Sequence, residues 1–477
     1  MTIALSSLVY ALVTCVLFYS LRTRFRGAVL AAASVIYICL FSPAAGRAAL
    51  SMAVFAYIYG LLIAFFAEHK RQKAADIAAG LGIAGVAALL FVLKDAKLLS
   101  RAAGLSGSVL SQLVIPIGFS FYSFQIISYF ADVASGKTRG DRNLFRTVLY
   151  LLWFPKFISG PIMDKEQFNR QYRGIAAIKC LDMDRWKEVF CYVGTGFFLK
   201  LVAADRLACY VDVLWKDIGG YGGFWLFIGA VFYSLLIYCD FAGYSYVAMG
   251  LSRIFGIDLP VNFRMPYMSA NITEFWRRWH ISLSGWLRDY LYIPLGGNRK
   301  GDRRKILNTI AVFLVCGCWH GAGLTFVLWG LLHGIYSCFD FLAAKKGWTK
   351  VRTGIPGRIV TFSAVSFAWI FFRAPSVGEA YRYIAGMFTQ SWSGDAVSQG
   401  LYRMEPVPVQ MVVLSVIILI VILADILAYR SGVDIPELLI RRKSAVRYSL
   451  LIVLVLTVIV FGKYGPGQAN SLIYMQF

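Results

Sequence analysis

Histidine is scarce in this sequence, and one of its four histidines lies where a base could act on a bound substrate. His320 ends an apolar run and is followed by glycines, in the sequence Gly317-Cys318-Trp319-His320-Gly321-Ala322-Gly323. An ionisable side chain at membrane depth is costly and is therefore a functional candidate. A neutral imidazole accepts the proton of a hydroxyl, so His320 could be the general base of an acyl transfer. A structural histidine bonded to a neighbouring helix is the alternative interpretation.

Other catalytic classes lack their signatures in this chain. The sequence contains neither the G-x-S-x-G turn of serine hydrolases nor the HExxH or paired Cys/His spacing of zinc sites, and no metal is expected. His280 lies among aromatic and cationic neighbours, far from His320 in the sequence. His333 follows Trp329 by one helical turn and is predicted to be a packed helix residue.

The segment 262–305 is strongly basic, with nine Lys and Arg against three acidic residues. By the positive-inside rule it faces the cytoplasm. Its core, 269–294, has aromatic residues at helical spacing and predicts one or two amphipathic helices, with Asn271 or Thr273 as N-cap. Asp289 is expected to pair with a nearby arginine. One interpretation is a helix lying in the headgroup region, with its aromatic residues in lipid.

The other interpretation is that this segment forms the floor of a cavity and that its cations bind phosphates. Glycines let backbone amides approach an anion, and in Gly296-Gly297-Asn298-Arg299-Lys300 two cations follow directly. The predicted donor-binding residues are Arg277, Arg278, Arg288, Gly296, Gly297, Asn298, Arg299 and Lys300.

The composition requires a membrane to position these residues. The chain is 59% hydrophobic and 15% charged, which excludes a soluble enzyme, a disordered tail and a disulfide scaffold. Its net charge of +23 is explained by basic cytoplasmic loops facing anionic lipid, without a nucleic-acid partner. The apolar runs predict one all-α polytopic domain over 1–477 with roughly ten or more spans. Two of these runs are 222–239 and 241–256.

Charge also orients the ends of the chain. The first run, 3–21, is followed rather than preceded by arginines, so it predicts a retained span with its N-terminus outside. The last span leads outward, which places the tail 463–477 on the extracytoplasmic side.

The motifs of the centre identify a family. The stretch Asn271–Arg299 closely resembles the membrane-bound O-acyltransferases, and among them the membrane subunits of alginate O-acetylation. The sequence Trp319-His320-Gly321-Ala322 resembles the essential histidine motif of that family. Further similar motifs lie at 116–122, 154–161 and 240–245, so that the resemblance covers a core of roughly 110–375.

The resemblance implies a fold and the roles of several residues. It implies a ring of roughly 11–14 transmembrane and re-entrant helices, each span needing about 20 residues, around a central tunnel. His320 would be the catalytic histidine, and His280 would lie near the cytoplasmic mouth as a second catalytic-site residue. The residues expected to line the tunnel are Ser120, Asp240, Tyr244, Trp276, Trp279 and Trp319.

The resemblance also implies a reaction. The protein would take an acetyl group from a cytoplasmic thioester, acetyl-CoA, which is a donor substrate and not a permanently bound cofactor. It would pass the group across the bacterial cytoplasmic membrane to an SGNH-type extracytoplasmic acetyltransferase that modifies a polysaccharide. One alternative is transfer of D-alanine or another acyl group from a carrier-protein thioester to a cell-wall polymer. A transporter or flippase, and a scaffold for an external enzyme, are alternatives without acyl chemistry.

The C-terminus departs from the alginate pattern. Its last residues, Leu472 to Phe477, resemble family members from Gram-positive cell-wall systems, which leaves the final acceptor open. A tyrosine hydroxyl can be acylated, and its aryl ester is an activated donor, so Tyr474 is predicted to relay the acyl group. The alternative is an aromatic anchor at the membrane interface.

Overall fold

The computed structural model describes residues 3–102, 115–180, 182–321, 323–348, 353–404 and 408–464. In these ranges all regular secondary structure is helical. Eight of the described helices are long and apolar enough to cross a membrane. The chain is therefore an all-α, multi-pass membrane protein, as the composition predicted.

The chain forms two compact units, and the first consists of Ile3–Val193 and Val247–Pro260. Its helices are α1 (Ile3–Ser20), α2 (Arg26–Phe41), α3 (Pro43–Glu68), α4 (Gln72–Ala102), α5 (Phe119–Ala134), α6 (Leu144–Leu152), α7 (Lys165–Gly174) and most of α8 (Met183–Phe197).

The second unit contains Gly194–Tyr246 and the described residues from Val261 onward. Its helices are α9 (Asp205–Lys216), most of α10 (Gly223–Ile254), α11 (Ile272–Arg278), α12 (Ile281–Leu287), α13 (Asp302–His320), α14 (Leu324–Lys345), α15 (Gly354–Arg373), α16 (Val377–Thr389), α17 (Gly394–Met404), α18 (Pro408–Ser431), α19 (Ile435–Ile440) and α20 (Ser444–Phe461).

Helix α10 corrects one division made from the sequence. The predicted runs 222–239 and 241–256 are one continuous helix. The residue between them, Asp240, pairs inside the protein with Lys200, at 2.6 Å between its carboxylate and the ammonium. The charge therefore does not need to end the helix at a water-exposed loop.

The helices α13 and α14 pack closely because glycines meet along their contact. A Cβ atom at Gly330 would overlap the carbonyl oxygen of Phe313, and one at Gly317 would overlap that of Phe326. Small residues that allow such backbone approach are typical of helix pairs in membranes. This contact fixes His320, at the end of α13, relative to α14.

Replacement of Gly330 by alanine is expected to lower the free energy of unfolding by about 1–3 kcal/mol, because the added methyl group forces the two backbones apart. The measurement is denaturant-induced unfolding of the purified protein in detergent. The matched control is Gly80→Ala in α4, where a Cβ atom would meet no atom within 4 Å. A loss of stability that is equal in the two variants would contradict the close packing of α13 and α14.

Candidate active site

The basic segment forms two short helices separated by a sharp break. Asn271 caps α11, with its side chain accepting the N–H of Glu274 at 2.9 Å, as predicted. Helix α11 ends at Arg278, and His280 then adopts a left-handed backbone conformation with φ of 43°. The break is held by hydrogen bonds to Asn262, whose carbonyl accepts the N–H of Ile281 at 2.9 Å. A non-glycine residue in this conformation stores strain, which is a feature of functional sites.

The His280 side chain is buried against aromatic rings. Its ring contacts Phe241 edge-on, with centroids 4.7 Å apart, and lies 6.5 Å from Trp319. The side chain is 1% exposed. Burial penalises the charged imidazolium and lowers the pKa of His280 to about 3, so this ring is neutral at physiological pH.

His320 is the last residue of α13 and is also buried. The rings of Trp319, Trp329 and Phe372 are among its described neighbours, with centroid distances of 4.7, 5.0 and 5.1 Å. A site enclosed by aromatic side chains excludes bulk water, and such exclusion protects a thioester from hydrolysis.

The side chains of His333 and His320 contact the same indole ring, that of Trp329. Trp329 contacts both rings, with centroids 5.0 Å from His320 and 5.0 Å from His333. The Nε1–H of Trp276 donates to Nδ1 of His333 at 3.2 Å. His333 is fully buried in α14, which confirms that it is a packed helix residue.

A cavity of about 770 Å3, here called cavity A, lies beside this aromatic cluster. Helices α11 to α14 line it, and Trp276 belongs to both the cavity wall and the cluster. The other lining residues are Thr273, Arg277, Ile281, Ser284, Gly285, Arg288, Lys305, Ile306, Thr309, Phe313, Ser337, Cys338, Asp340, Phe341 and Ala344.

Cations dominate the charge of cavity A. Arg277, Arg288 and Lys305 line it together with one carboxylate, Asp340. Asp340 accepts the backbone N–H of Thr273 at 2.9 Å, which ties α14 to α11. The guanidinium of Arg288 also pairs with Asp289 at 2.7 Å, as predicted. Arginine and lysine are the usual ligands of phosphate groups, so the wall suits an anionic substrate.

The glycine turn lies apart from the wall of cavity A. The N–H of Gly297 donates to Tyr292 and that of Gly296 to Ile293, both at 2.9 Å. Both glycines have positive φ angles, of 54° and 103°, which the turn requires. These amides are engaged within the turn. Anion binding by Asn298, Arg299 and Lys300 stays a prediction that depends on their side chains.

Arg278 lines a different cavity from Arg288. This space of about 740 Å3, here called cavity B, also contains Arg264, Glu274, Tyr429 and Asp434. Arg277 lines cavity A and cavity B, so the structure separates Arg278 from Arg288 and places Arg277 between the two spaces, whereas Arg299 and Lys300 line neither of them.

The residues expected in the tunnel have several environments. Trp279 is buried against Trp369, with ring centroids 5.0 Å apart, and Tyr244 and Trp319 are buried as well. Ser120 is half-buried near the start of α5 in the first unit. Tyr474, which is predicted as the acyl relay and not as a tunnel residue, lies outside the described residues. The tunnel-lining role of these residues stays a prediction.

Asp240 belongs to a buried ionic cluster. Lys200 lies in a π-helical segment, Phe198–Ala204, and its ammonium contacts Asp205 at 2.7 Å and Asp240 at 2.6 Å. All three residues are buried. Next to Lys200, the carbonyl of Leu201 accepts the N–H of Lys463 at 3.0 Å, which fixes the start of the C-terminal tail.

Lys305 lines cavity A but is not among the donor-binding residues predicted from the sequence, although the sequence contains a signal for it. Lys305, Thr309 and Phe313 follow one another at a spacing of four in α13, and all three line cavity A. Residues four apart share a helix face, so the helical spacing could have placed Lys305 beside Phe313 in the wall.

Comparison with known proteins identifies the family. The sequence model of the membrane-bound O-acyltransferase family matches residues 134–378, just over half of the chain. The chain is 35% identical to the "Probable alginate O-acetylase" of Pseudomonas fluorescens over 380 residues, which cover 79% of this chain and 73% of that protein.

Two relatives carry other names. The chain is 34% identical to the "Peptidoglycan O-acetyltransferase" of Helicobacter pylori over 313 residues, covering 58% of this chain and 57% of that protein. It is 28% identical to the "Teichoic acid D-alanyltransferase" of Bacillus subtilis over 291 residues, covering 54% and 69%. The family match, the coverage of the alginate relative and the membrane helices agree: the chain belongs to the membrane-bound O-acyltransferase family and is an O-acyltransferase of the membrane.

Proposed function

We propose that this protein takes an acetyl group from a cytoplasmic thioester and transfers it toward a polysaccharide outside the cell. The observation that carries the proposal is cavity A, whose lining contains three cations together with Trp276. Direct ring contacts connect Trp276 to His333, His333 to Trp329, and Trp329 to His320. This arrangement connects an anion-binding region to a buried base through three successive ring contacts.

In the proposed reaction, Arg277, Arg288 and Lys305 bind the phosphates of the donor, acetyl-CoA. The hydroxyl of the acceptor attacks the thioester carbonyl, forming a new C–O bond as the C–S bond breaks. His320 takes the proton of the hydroxyl and returns it to the leaving thiolate. The aromatic residues around His320 exclude the water that would otherwise hydrolyse the thioester.

The acceptor side of the proposal follows the relatives. The relatives named for alginate, peptidoglycan and teichoic acid are bacterial proteins, which supports a location in the bacterial cytoplasmic membrane and a polysaccharide as the final acceptor. An SGNH-type extracytoplasmic transferase would complete the transfer. Tyr474 is the proposed acyl relay, since it lies on the tail that begins at the Lys463–Leu201 hydrogen bond.

The test is transfer of radiolabelled acetyl from acetyl-CoA by the purified full-length protein in liposomes. Arg288→Gln is expected to raise the KM for acetyl-CoA about 10- to 150-fold with kcat nearly unchanged, because a charged hydrogen bond contributes about 1.5–3 kcal/mol to binding. The matched control is Arg303→Gln, an exposed cation in the first turn of α13 that does not line cavity A.

Three results would contradict the proposal. Equal KM values for Arg288→Gln and Arg303→Gln would show that cavity A does not bind the donor. Transfer that requires a carrier-protein thioester and does not occur with acetyl-CoA would favour the D-alanyl type of donor. Absence of any transferred acyl group, together with movement of a substrate across the membrane, would indicate a transporter.

A further inference from the structure

Cavity B is a second anion-binding candidate that the acyl-transfer reaction does not use. It encloses about 740 Å3 between α11 and the region where α18 ends. The lining residues that matter here are Arg264, Glu274, Arg277, Arg278, Tyr429 and Asp434.

The charges of cavity B leave one cation uncompensated. Glu274 pairs with Arg278 at 3.0 Å, and Asp434 pairs with Arg264 at 3.8 Å. Arg277 forms no hydrogen bond or ion pair with any residue that the structure describes. The cavity therefore presents a guanidinium whose charge is available to a ligand.

Two guanidinium groups beside the cavity are held in place by an aromatic ring. The central carbon of Arg278 lies 4.8 Å from the ring centroid of Tyr429, and that of Arg358 lies 4.9 Å from the same centroid. Such cation–π contacts fix a guanidinium while leaving N–H groups for planar recognition of oxyanions. The buried Nε atom of Arg358 has no hydrogen-bond partner among the described residues.

We propose that cavity B binds a phosphate-class anion, either free phosphate or the headgroup of an anionic phospholipid, and that its occupation weakens donor binding. The link is Arg277, which lines both cavities. One guanidinium cannot direct its donors fully to a phosphate in each cavity. The effect on the donor rests on the proposed role of cavity A, whereas anion binding in cavity B does not.

The coupling has a definite thermodynamic form. If the anion weakens donor binding by some factor, the donor weakens anion binding by the same factor. Because coupling energies between sites correspond to factors of about 5 to 150, we expect at least a fivefold change for a site that withdraws one charged ligand.

The experiment measures CoA binding by calorimetry with the full-length protein in lipid nanodiscs. Discs of phosphatidylcholine alone, discs containing phosphatidylglycerol, and phosphatidylcholine discs with millimolar inorganic phosphate are compared at constant ionic strength. A rise in the Kd for CoA of about fivefold in the second condition alone identifies the lipid headgroup as the anion. A rise in the third condition shows that free phosphate suffices.

The variant removes one cation from the lining of cavity B. Arg264→Gln lowers the positive charge of the cavity while Asp434 stays in its wall, so it is expected to abolish the anion effect and to keep the Kd for CoA in phosphatidylcholine. Arg264→Lys is a second variant that keeps the ion pair but loses two-pronged phosphate binding, so it should reduce the effect. The matched control is Arg430→Gln, at the same end of α18 but outside both cavities.

Two results would overturn this inference. The same anion effect in the wild type and in Arg264→Gln would mean general electrostatic screening. No anion effect in a wild type that binds CoA would also contradict it. If CoA does not bind at all, the proposed function fails. Phospholipid retention in native mass spectrometry, compared between the wild type and Arg264→Gln, then tests anion binding in cavity B by itself.

Discussion

Replacement of His320 by glutamine is expected to lower the rate of acyl transfer by about 100- to 10,000-fold, the usual contribution of a general base. Glutamine keeps a polar side chain of similar length among Trp319, Trp329 and Phe372, but it does not accept a proton near neutral pH. The KM for the thioester should change little, because His320 does not line cavity A. The measurement is single-turnover transfer of labelled acetyl in liposomes.

The matched control for this prediction is His333→Gln. His333 is equally buried and contacts the same indole, Trp329, but it is engaged as the acceptor of the Trp276 N–H. Glutamine can accept that N–H through its side-chain oxygen, so a small loss of rate is expected. Equal losses in the two variants would indicate that both histidines act through packing. Full activity of His320→Gln would contradict the role of His320 as the general base.

The largest effect on stability is expected for Lys200→Met. This change would leave the buried carboxylates of Asp205 and Asp240 without their shared ammonium, which lies 2.7 and 2.6 Å from them. Removal of one partner from a buried ion pair costs about 3–5 kcal/mol, because a charge stays in a medium of low polarity. We expect this loss in the free energy of unfolding, measured by denaturant titration in detergent micelles.

The rescue variant separates charge from packing in this cluster. Lys200→Met combined with Asp205→Asn and Asp240→Asn removes all three charges and keeps similar side-chain volumes, so most of the lost stability should return. A triple variant as unstable as Lys200→Met would show that the side-chain shapes, and not the charges, determine stability at this site.

Local rules predicted much of the basic segment. The sequence predicts Asn271 or Thr273 as the cap, one or two amphipathic helices, and an ion pair of Asp289 with a nearby arginine. The structure has the Asn271 cap, two short helices and the Arg288–Asp289 pair, all of which depend on residues within a few positions of one another. The break at His280 was not foreseen, because it depends on hydrogen bonds to Asn262, which is distant in sequence.

The division of the cations could not be read from the sequence. Arg277 and Arg278 are neighbours in α11, yet Arg278 pairs with Glu274 in cavity B while Arg277 lines both cavities. Which space a side chain enters depends on the helices packed beside α11, namely α14 with Asp340 and α18 with Tyr429. Such contacts between distant segments leave no local pattern.

The same limit applies to charges inside the helices. A carboxylate between two apolar runs, such as Asp240, is typical of a loop between spans. Its partner, Lys200, lies in the π-helical segment, and nothing local to either residue predicts that they meet. Conversely, the sequence predicts that the amides of Gly296 and Gly297 bind an anion. In the structure these amides donate hydrogen bonds to carbonyl groups within the turn.

The hydrogen bond between Lys463 and Leu201 limits the distance that the residues after Lys463 can reach. From that anchor, Tyr474 is about 11 residues away, and a chain of that length reaches at most about 40 Å. A hydroxyl confined within such a radius has an effective concentration in the millimolar range. Self-acylation of Tyr474 would therefore proceed at a rate independent of dilution, whereas acylation of a separate protein would slow as the enzyme is diluted.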